Sequence, residues 1–387
     1  MTPGARVAAA IEILHDMQGG LAAEQALTRW ARRSRYAGSK DRAAIRDHVF
    51  DVLRCKRTAA HYGRSENPRA LLVGLLHAQD AEMDTLFSGI GHAPAPLTPQ
   101  EAEFPAPPED KATLWNLPEW LVPHFEAALG AHTADTVMAL QERAPVFLRV
   151  NTAKIQRDEA QDILASQGVQ TELNPLCDTA ITITEGARKL RNSESYTQGL
   201  VELQDAASQA VVASLPVGLR VLDYCAGGGG KALAIAAQND REVVAHDIDP
   251  RRMGDLPVRA ARAGVTIQQL TTDEVQTAAP FDIVLCDAPC SGSGAWRRAA
   301  EGKWTLTPVR LAELTDLQDK ILDDAAALLS PSGTLAYATC SVFRDENEDR
   351  IAAFLNRHSG WRCVQQHRYE IGPQGDGFFT AHLIRDK

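Results

Sequence analysis

Long uninterrupted apolar runs are missing from this sequence. No segment of its 387 residues reaches the roughly eighteen apolar residues that a membrane-spanning helix needs, so we predict no membrane association. The first residues, MTPGARVAAAIEILHDMQ, carry charges and polar breaks where a signal peptide has its apolar core, so we expect a cytoplasmic protein. A net positive charge is also missing: the formal net charge of −10 excludes a protein that is basic all over.

Cysteine pairs with metal-ligand or disulfide spacing are missing too. The seven cysteines are an odd number at irregular intervals, which argues against a disulfide framework. No two of them have the two-residue spacing of a zinc knuckle, so we predict no metal. Structural or catalytic thiols are left as the interpretations. The cysteines are Cys55, Cys177, Cys225, Cys286, Cys290, Cys340 and Cys363.

Positive charge is present locally. The stretch from Arg29 to Arg57 holds ten Lys and Arg against three Asp. Such a patch can bind a polyanion on an acidic protein, because phosphate contacts depend on local charge. Taken alone, the stretch is more typical of a solvated helix face, which is the favoured interpretation without the rest of the sequence.

The order of sequence patterns predicts several domains. The segments ARVAAAIEILHDMQ and DRAAIRDHVFDVLR have helical periodicity, and Asp41 is the predicted N-cap of the second. Residues 91–110 contain six prolines and predict a linker. Strand and helix patterns mix in 111–208, which indicates a small α+β module. From 209 to 387, buried strands alternate with glycine turns and helices, which predicts a doubly wound, mainly parallel α/β sheet. The helical domain is predicted over 1–90.

A glycine-rich turn points to a nucleotide-like cofactor. The segment DYCAGGGGK, from Asp223 to Lys231, lies between a predicted strand and a predicted helix. Asp247 ends the next strand, where an acid accepts hydrogen bonds from ribose hydroxyls. These two features fit either NAD or S-adenosylmethionine. Asp287 ends a later strand and is followed by Ala-Pro, which is typical of nucleobase-acting methyltransferases.

Five segments together resemble one family. LDYCAGGGGK, VVAHDIDPRR, FDIVLCDAPCSGSG, YATCSVFRDENE and GDGFF occur in this order at fitting intervals. They resemble the Sun-type RNA cytosine-5 methyltransferases, the family of the bacterial ribosomal-RNA enzyme RsmB. The resemblance implies a C-terminal Rossmann-like class I methyltransferase domain. FLRVNT and GLVELQDAASQ resemble the family's small RNA-binding module, and the helical start resembles its all-α NusB-like domain.

The resemblance also implies a covalent mechanism. Carbon 5 of cytosine is not nucleophilic enough unaided, and a thiolate that adds to carbon 6 activates it. The family's pattern makes Cys340 that nucleophile and Cys290 the residue for product release. Asp287 would hydrogen-bond cytosine N3 and stabilise the developing charge. Lys231 either contacts the cofactor or nucleobase or is an exposed helix lysine, and we assign it to the site.

The cofactor implied is S-adenosylmethionine. Its predicted binding residues are Cys225, Ala226, Gly227, Gly228, Gly229, Gly230, Lys231, Asp247, Arg252, Asp273 and Asp287. Cys225 and Cys286 are predicted to be small core residues in their strand contexts.

Two departures from the family pattern affect the expected cofactor site. The usual C-A-A-P-G-G-K reads Cys225-Ala226-Gly-Gly-Gly-Gly-Lys231 here, so the loop lacks its proline and gains freedom in the unfolded chain. The family's acid after the third strand has no clear counterpart, and Asp273 or Thr271 takes its place. In WRRAAEGKW, the basic residues are expected to hold RNA phosphates.

The function predicted is methylation of RNA cytosine at carbon 5. Small-subunit (16S) ribosomal RNA is the favoured substrate and tRNA the runner-up, and a monomer is expected. A different class stays open, a non-catalytic RNA-binding or ribosome-assembly factor on the same scaffold. DNA cytosine methylation is weaker, because DNA enzymes use the proline-linked cysteine as nucleophile and Cys340 would then have no purpose.

Overall fold

The structure is a computed structural model that describes residues 1–238 and 241–386. It divides into a helical unit, Met1–Arg143 with Trp296–Thr305, and a sheet unit, Ala144–Ala295 with the chain from Leu306 onward. The predicted ranges 1–90, 91–110, 111–208 and 209–387 divide the chain more finely than these two units. Their boundaries stay predictions. None of the helices in the described part is long and apolar enough to cross a membrane.

The helices are numbered in chain order across both units. They are α1 (Pro3–Gln18), α2 (Ala23–Arg33), α3 (Ser39–Arg54), α4 (Lys56–Gly63), α5 (Pro68–Ala78), α6 (Met83–Leu86), α7 (Lys111–Leu114), α8 (Val122–Leu129), α9 (Thr133–Ala139), α10 (Arg157–Ser166), α11 (Glu194–Thr197), α12 (Ala206–Ala213), α13 (Gly230–Ala236), α14 (Leu256–Ala263), α15 (Thr272–Ala278), α16 (Gly302–Thr305), α17 (Pro308–Ala326) and α18 (Glu348–Arg357).

The strands are also numbered in chain order, and short 3₁₀ helices connect several elements. The strands are β1 (Val146–Val150), β2 (Gln170–Leu173), β3 (Ala180–Glu185), β4 (Val201–Leu203), β5 (Arg220–Asp223), β6 (Glu242–Ala245), β7 (Gln268–Gln269), β8 (Phe281–Asp287), β9 (Leu329–Thr339), β10 (Trp361–Tyr369) and β11 (Phe378–Arg385). The 3₁₀ helices are Glu119–Leu121, Gly130–His132, Ala187–Asn192, Pro250–Met253, Ser293–Ala295 and Arg344–Glu346.

The helical unit forms around apolar faces of α1, α2, α3 and α5. Thr2 caps α1, because its hydroxyl oxygen accepts the amide of Ala5 at 3.2 Å. Trp30 and Ile45 are fully buried in the shared core. The prediction that Asp41 caps α3 is wrong: the helix begins at Ser39, and Asp41 lies in its first turn and accepts the side chain of Arg6 at 2.9 Å.

The proline-rich segment packs onto the helical unit. Residues 91–110 contain turns and extended backbone but no helix or strand, as their prolines predict. Phe104 stacks on His77 with ring centroids 3.5 Å apart, and Glu101 pairs with Arg69 at 2.7 Å. These contacts fix the segment along α5.

A segment from late in the sequence completes the helical unit. Ala300 is buried against Phe50 and Leu53 of α3. The Trp304 indole donates to the carbonyl of Leu53 at 2.7 Å, and the Lys303 ammonium donates to the carbonyl of Arg54 at 2.7 Å. The ten residues Trp296–Thr305 therefore belong to the helical unit, and Ala300 and Lys303 are buried in it.

The first sheet of the sheet unit is antiparallel in the order β2-β3-β1-β4. In its register Val146 faces Ile183, and Leu148 faces Leu203. Leu148 is fully buried against Leu164 of α10, so the helix covers one face of the sheet. This arrangement confirms the predicted small α+β module.

The second sheet has the order β10-β11-β9-β8-β5-β6-β7. Strands β5 to β9 run parallel, and β11 and β10 add antiparallel strands at one edge. Leu222 of β5 belongs to one buried cluster and its neighbour Val221 to another, so helices cover both faces. Apolar runs without alternation follow from this double burial, and the predicted doubly wound sheet is confirmed. The carboxyl ends of β5, β6, β8 and β9 lie along one edge.

Candidate active site

The glycine turn after β5 has the backbone conformation that only glycine adopts easily. Gly227 has φ +52° and Gly229 has φ +76°. A Cβ on Gly229 would lie 2.3 Å from a methyl carbon of Leu256, so the turn also needs the space. The four glycines therefore place the turn against α14 and the start of α13 at the carboxyl edge.

Asp247 closes this turn from the end of β6. Its carboxylate accepts the amide of Gly227 and the guanidinium of Arg252, both at 2.9 Å, and the amide of Asp249 at 3.0 Å. Asp247 is buried, whereas the Arg252 side chain is about half exposed. The predicted residues Asp247 and Arg252 therefore meet at the glycine turn.

A cavity of about 130 Å³ opens beside these residues. It runs from Cys225 and Asp247 to Pro289 and α17, which is the strand edge where a nucleoside is expected. Its lining residues are Tyr224, Cys225, His246, Asp247, Ile248, Arg252, Pro289, Leu317, Lys320, Ile321 and Asp324.

Asp273 is not brought to this cavity. It is exposed in the first turn of α15, because Thr271 and Glu274 form a capping box that fixes where the helix begins. Its neighbour Thr272 contacts a cavity residue instead. The hydroxyl oxygen of Thr272 lies 3.0 Å from Nε2 of His246, which lines the cavity. The prediction that Asp273 binds the cofactor finds no support in this geometry.

Asp223 is a buried acid that the sequence predictions did not assign. Its side chain is about 1% exposed, and within the described residues neither carboxylate oxygen makes a hydrogen bond of ordinary geometry, although the Ala232 amide is close enough to lower its pKa. Burial and the nearby Asp287 carboxylate raise the pKa of Asp223 to about 7. An unsatisfied buried acceptor of this kind suits a ligand that brings its own donor.

Lys231 and Asp287 form an ion pair at the end of β8. The Lys231 ammonium donates to Oδ2 of Asp287 at 2.6 Å and lies 5.0 Å from the centre of the Phe378 ring. Burial opposes the charged form of Lys231, but the attraction of Asp287 outweighs it, and the pKa of Lys231 is raised. Lys231 is thus a buried cation rather than an exposed helix lysine.

Cys290 and Cys340 face each other across the ends of β8 and β9. Their sulfur atoms lie 3.4 Å apart, and all seven cysteines are free. The hydrogen bond with Cys340 and burial raise the pKa of Cys290 well above that of an ordinary thiol. Either sulfur can be the donor of the hydrogen bond between them. Cys286 is fully buried in the core of the sheet, as predicted, while Cys225 is half-buried beside the cavity.

A buried carboxylate joins the two cysteine loops. Glu346 accepts the amide of Ser291 at 2.7 Å and the hydroxyl groups of Ser291 and Ser341. Gln318 donates to Glu346 at 3.2 Å and to the carbonyl of Pro289 at 2.9 Å. The sequence predictions missed Glu346, although it stands in FRDENE shortly after the second cysteine motif.

Three side chains hold the carbonyls of the glycine turn and were also missed. The Arg259 guanidinium donates to the carbonyl of Gly228, and Arg149 and Gln204 donate to that of Gly230 at 3.4 and 3.3 Å. They come from α14, β1 and the residue after β4. The chain thereby restrains the segment in which the family pattern has a proline.

Comparisons with known proteins agree with this geometry. A family model described as 16S rRNA methyltransferase RsmB/F matches residues 215–384, and one for an RsmF/B-like ferredoxin-like domain matches 117–188. The ribosomal RNA small subunit methyltransferase B of Cronobacter sakazakii is 34% identical over 291 residues, which cover 70% of this chain and 67% of that protein. The chain belongs to the RsmB/F family.

Other RsmB/F relatives match over a similar extent. Ribosomal RNA small subunit methyltransferase B of Photorhabdus laumondii is 35% identical over 69% of this chain, and that of Erwinia tasmaniensis is 34% identical over 69%. The match spans about two thirds of the length of these proteins, 66% in both cases.

Solved structures share the fold of this RsmB/F chain. The crystal structure of PH0851 has a TM-score of 0.77 at 23% identity and covers 100% of this chain and 99% of that chain. A methyltransferase homologue from Pyrococcus horikoshii has a TM-score of 0.62 at 22% identity, covering 75% of this chain and 100% of its own. NSun6 from Pyrococcus horikoshii with SFG has 0.60 at 17%, covering 70% and 98%. These likenesses support the multidomain fold.

The expectation that the WRRAAEGKW residues hold RNA phosphates is wrong for two of them. Arg297 is 3% exposed and Lys303 is 1% exposed, inside the helical unit. Burial lowers the pKa of Lys303 to about 7, which is the opposite of what a phosphate-binding lysine needs. Arg298, by contrast, is exposed.

Proposed function

We propose that this chain is an S-adenosylmethionine-dependent RNA (cytosine-5-)-methyltransferase that acts on small-subunit rRNA through a covalent adduct of Cys340 with carbon 6. The observation that carries the proposal is the pair of sulfur atoms 3.4 Å apart, at the strand edge that also holds the ion pair of Lys231 and Asp287. Neither a hydride transfer nor a binding factor has a need for this combination.

The residues at the glycine turn fit the cofactor. In the described part of the chain, the two buried oxygens of Asp223 make no hydrogen bond and suit the ammonium group of an amino acid, and Asp247 has further acceptor capacity for ribose hydroxyls. The cavity beside Cys225 has the apolar lining that an adenine ring needs. When bound, S-adenosylmethionine supplies an electrophilic methyl group.

Cys340 is the proposed nucleophile because it follows β9 directly and its sulfur lies 3.4 Å from that of Cys290. Its sulfur forms the bond to carbon 6, and the electron pair of the 5,6 double bond becomes available at carbon 5. Asp287 faces N3 of the ring, and the Lys231 ammonium beside it offsets the negative charge that develops there.

Cys290 is the proposed base for release, and its neighbour explains the timing. The pKa of Cys290 is raised chiefly by Cys340. Once the Cys340 sulfur is bonded to carbon 6 this hydrogen bond is lost, so the pKa of Cys290 falls and its thiol proton passes to water. After carbon 5 has taken the methyl group, the Cys290 thiolate accepts the proton from carbon 5, the electron pair of that C–H bond re-forms the double bond, and Cys340 leaves as thiolate.

The test is a denaturing gel of protein mixed with labelled 16S rRNA and S-adenosylmethionine. Wild type is compared with Cys290→Ala, Cys340→Ala, the double variant and, as a matched control, Cys363→Ala on β10. We expect a protein–RNA adduct that accumulates in Cys290→Ala and disappears in the double variant, with Cys363→Ala like wild type.

A second set of lanes uses labelled tRNA, because tRNA is the second candidate substrate. Adduct on tRNA alone would replace the substrate in the proposal. If no variant gives adduct or methyl transfer on either RNA, the chain is a non-catalytic RNA-binding factor.

A further inference from the structure

Glu346 is a carboxylate placed at the centre of the loops that carry the two cysteines. It is fully buried at the end of the 3₁₀ helix Arg344–Glu346, and no basic side chain of the described residues lies within ion-pair distance of it. A buried carboxylate without a cation is costly unless several donors satisfy it. Here those donors are the amide and hydroxyl of Ser291, the hydroxyl of Ser341 and the amide of Gln318.

Each serine donor directly follows one of the cysteines. Ser291 follows Cys290, and Ser341 follows Cys340, so one carboxylate fixes the chain next to both sulfur atoms. The carbonyl of Pro289, on the other side of Cys290, accepts from Gln318, which Glu346 itself holds.

The two loops depend on Glu346 to different degrees. The Cys340 loop has other supports: Gly294 donates to the carbonyl of Cys340 at 2.9 Å, and Asn347 donates to the carbonyl of Ser341 at 2.9 Å. Ser291, in contrast, gives both its amide and its hydroxyl to Glu346, the amide at 2.7 Å. Two further contacts of the Ser291 hydroxyl, with the Ser341 hydroxyl and the Ser293 amide, are longer at 3.3 Å. Removing the carboxylate should therefore loosen Cys290 more than Cys340.

We propose that Glu346 is a positioning residue that holds Cys290 against Cys340, so that its loss slows product release more than nucleophilic attack. This inference rests on the proposed function, since it assigns a role within the same reaction. Release depends on Cys290 reaching the proton on carbon 5, and a displacement of about 1 Å in a reacting group costs up to roughly a hundredfold in rate.

The experiment measures the ratio of adduct to methylated product for wild type, Glu346→Ala, Glu346→Gln and Cys290→Ala. We expect Glu346→Ala to raise that ratio about tenfold or more, toward Cys290→Ala, because its release step has lost its alignment. Glu346→Gln keeps an oxygen acceptor for the Ser291 amide and should lie nearer wild type. Glu348→Gln is the matched control, since Glu348 pairs with Arg368 instead of the cysteine loops.

Thermal melting shows which variants are folded. A folded Glu346→Ala that loses adduct and product in equal proportion overturns the inference, while adduct in Cys290→Ala still supports the proposed function. No adduct in Cys290→Ala would instead remove the proposed function itself. If Glu346→Ala does not fold, Ser291→Ala decides: it removes one bond to Glu346, and an unchanged ratio overturns the inference.

Discussion

Substituting Asp223 by asparagine tests how much free energy the ionisation of this buried carboxyl costs the folded protein. The carboxylate is buried, makes no hydrogen bond of ordinary geometry among the described residues and has a pKa of about 7 in place of 3.8. Asparagine has nearly the same shape and cannot ionise. The comparison of wild type with Asp223→Asn in the cofactor-free protein therefore isolates the cost of ionising this group.

The sign follows from where the proton is bound. A folded-state pKa above the unfolded value means that the folded protein binds the proton more tightly between pH 4 and 7. The contribution of Asp223 to the free energy of unfolding is therefore full below about pH 4 and is lost as the pH rises through about 7. A shift from 3.8 to about 7 corresponds to about 4 kcal/mol, at roughly 1.4 kcal/mol per pKa unit.

The assay is urea unfolding of β5, measured by pulsed hydrogen exchange and mass spectrometry at several pH values. Tryptophan fluorescence is unsuitable, because most of the tryptophans lie in the helical unit and only Trp361 lies in the sheet unit. The free energy of unfolding of wild type minus that of Asp223→Asn should fall by about 4 kcal/mol from pH 4 to pH 8.

Asp273→Asn on exposed α15 is the control and should show no such trend. A difference between wild type and Asp223→Asn that stays constant within about 1 kcal/mol across this pH range would refute the reasoning. It would mean that Asp223 is solvated or paired, and the fit of the cofactor's ammonium group would lose its basis.

Three further changes have outcomes that the structure predicts. Arg259→Ala removes the side-chain donor to the carbonyl of Gly228 and should weaken S-adenosylmethionine binding by about two- to tenfold in calorimetry, the value of one hydrogen bond. Gly294→Ala places a Cβ 2.0 Å from the carbonyl oxygen of Gly377 and should cost about 1–3 kcal/mol of stability in a thermal melt. Lys303→Met removes a buried amine whose pKa is lowered to about 7 by burial. Wild type gains stability as the pH rises from 7 to 10, because its unfolded state binds the proton more tightly, so the stability of the variant relative to wild type should fall over this range, measured by tryptophan fluorescence.

Each of these changes has a matched control. Arg251→Ala removes an exposed arginine near the same turn, and Gly372→Ala adds a Cβ that meets nothing within 4 Å. Lys40→Met removes an exposed lysine of the helical unit. Equal effects in variant and control would contradict the corresponding prediction, as would a stability difference for Lys303→Met that does not change with pH.

The sequence predicts the sheet well because its signals are local. Strands β5 and β8 are short apolar runs that end in an acid, and such runs form only where both faces are covered. Cys290 and Cys340 are fifty positions apart, but both follow carboxyl ends of neighbouring parallel strands, with Asp287 opposite Ala338. Strand ends that share an edge bring such residues together without any knowledge of side-chain packing.

The remaining features depend on tertiary contacts or on overlooked local signals. Arg297 and Lys303 were predicted to be surface cations, because no pattern in the adjacent sequence indicates that α3 covers them. Asp273 could have been excluded from the sequence, since Thr271 and Glu274 have the spacing of a capping box. Glu346 stands in the segment FRDENE, but its role could not be assigned, because its partners lie in segments up to fifty-five positions away.

The discontinuity of the helical unit has a consequence for the order of events on the ribosome. Residues 1–143 leave the exit tunnel before residues 296–305, yet Phe50 and Leu53 receive part of their apolar cover from Ala300. Domains generally fold as they emerge, amino-terminal part first. Here the packing of residues 1–143 is complete only after residues 296–305 have been translated. Strands β1 to β8 have been translated by then.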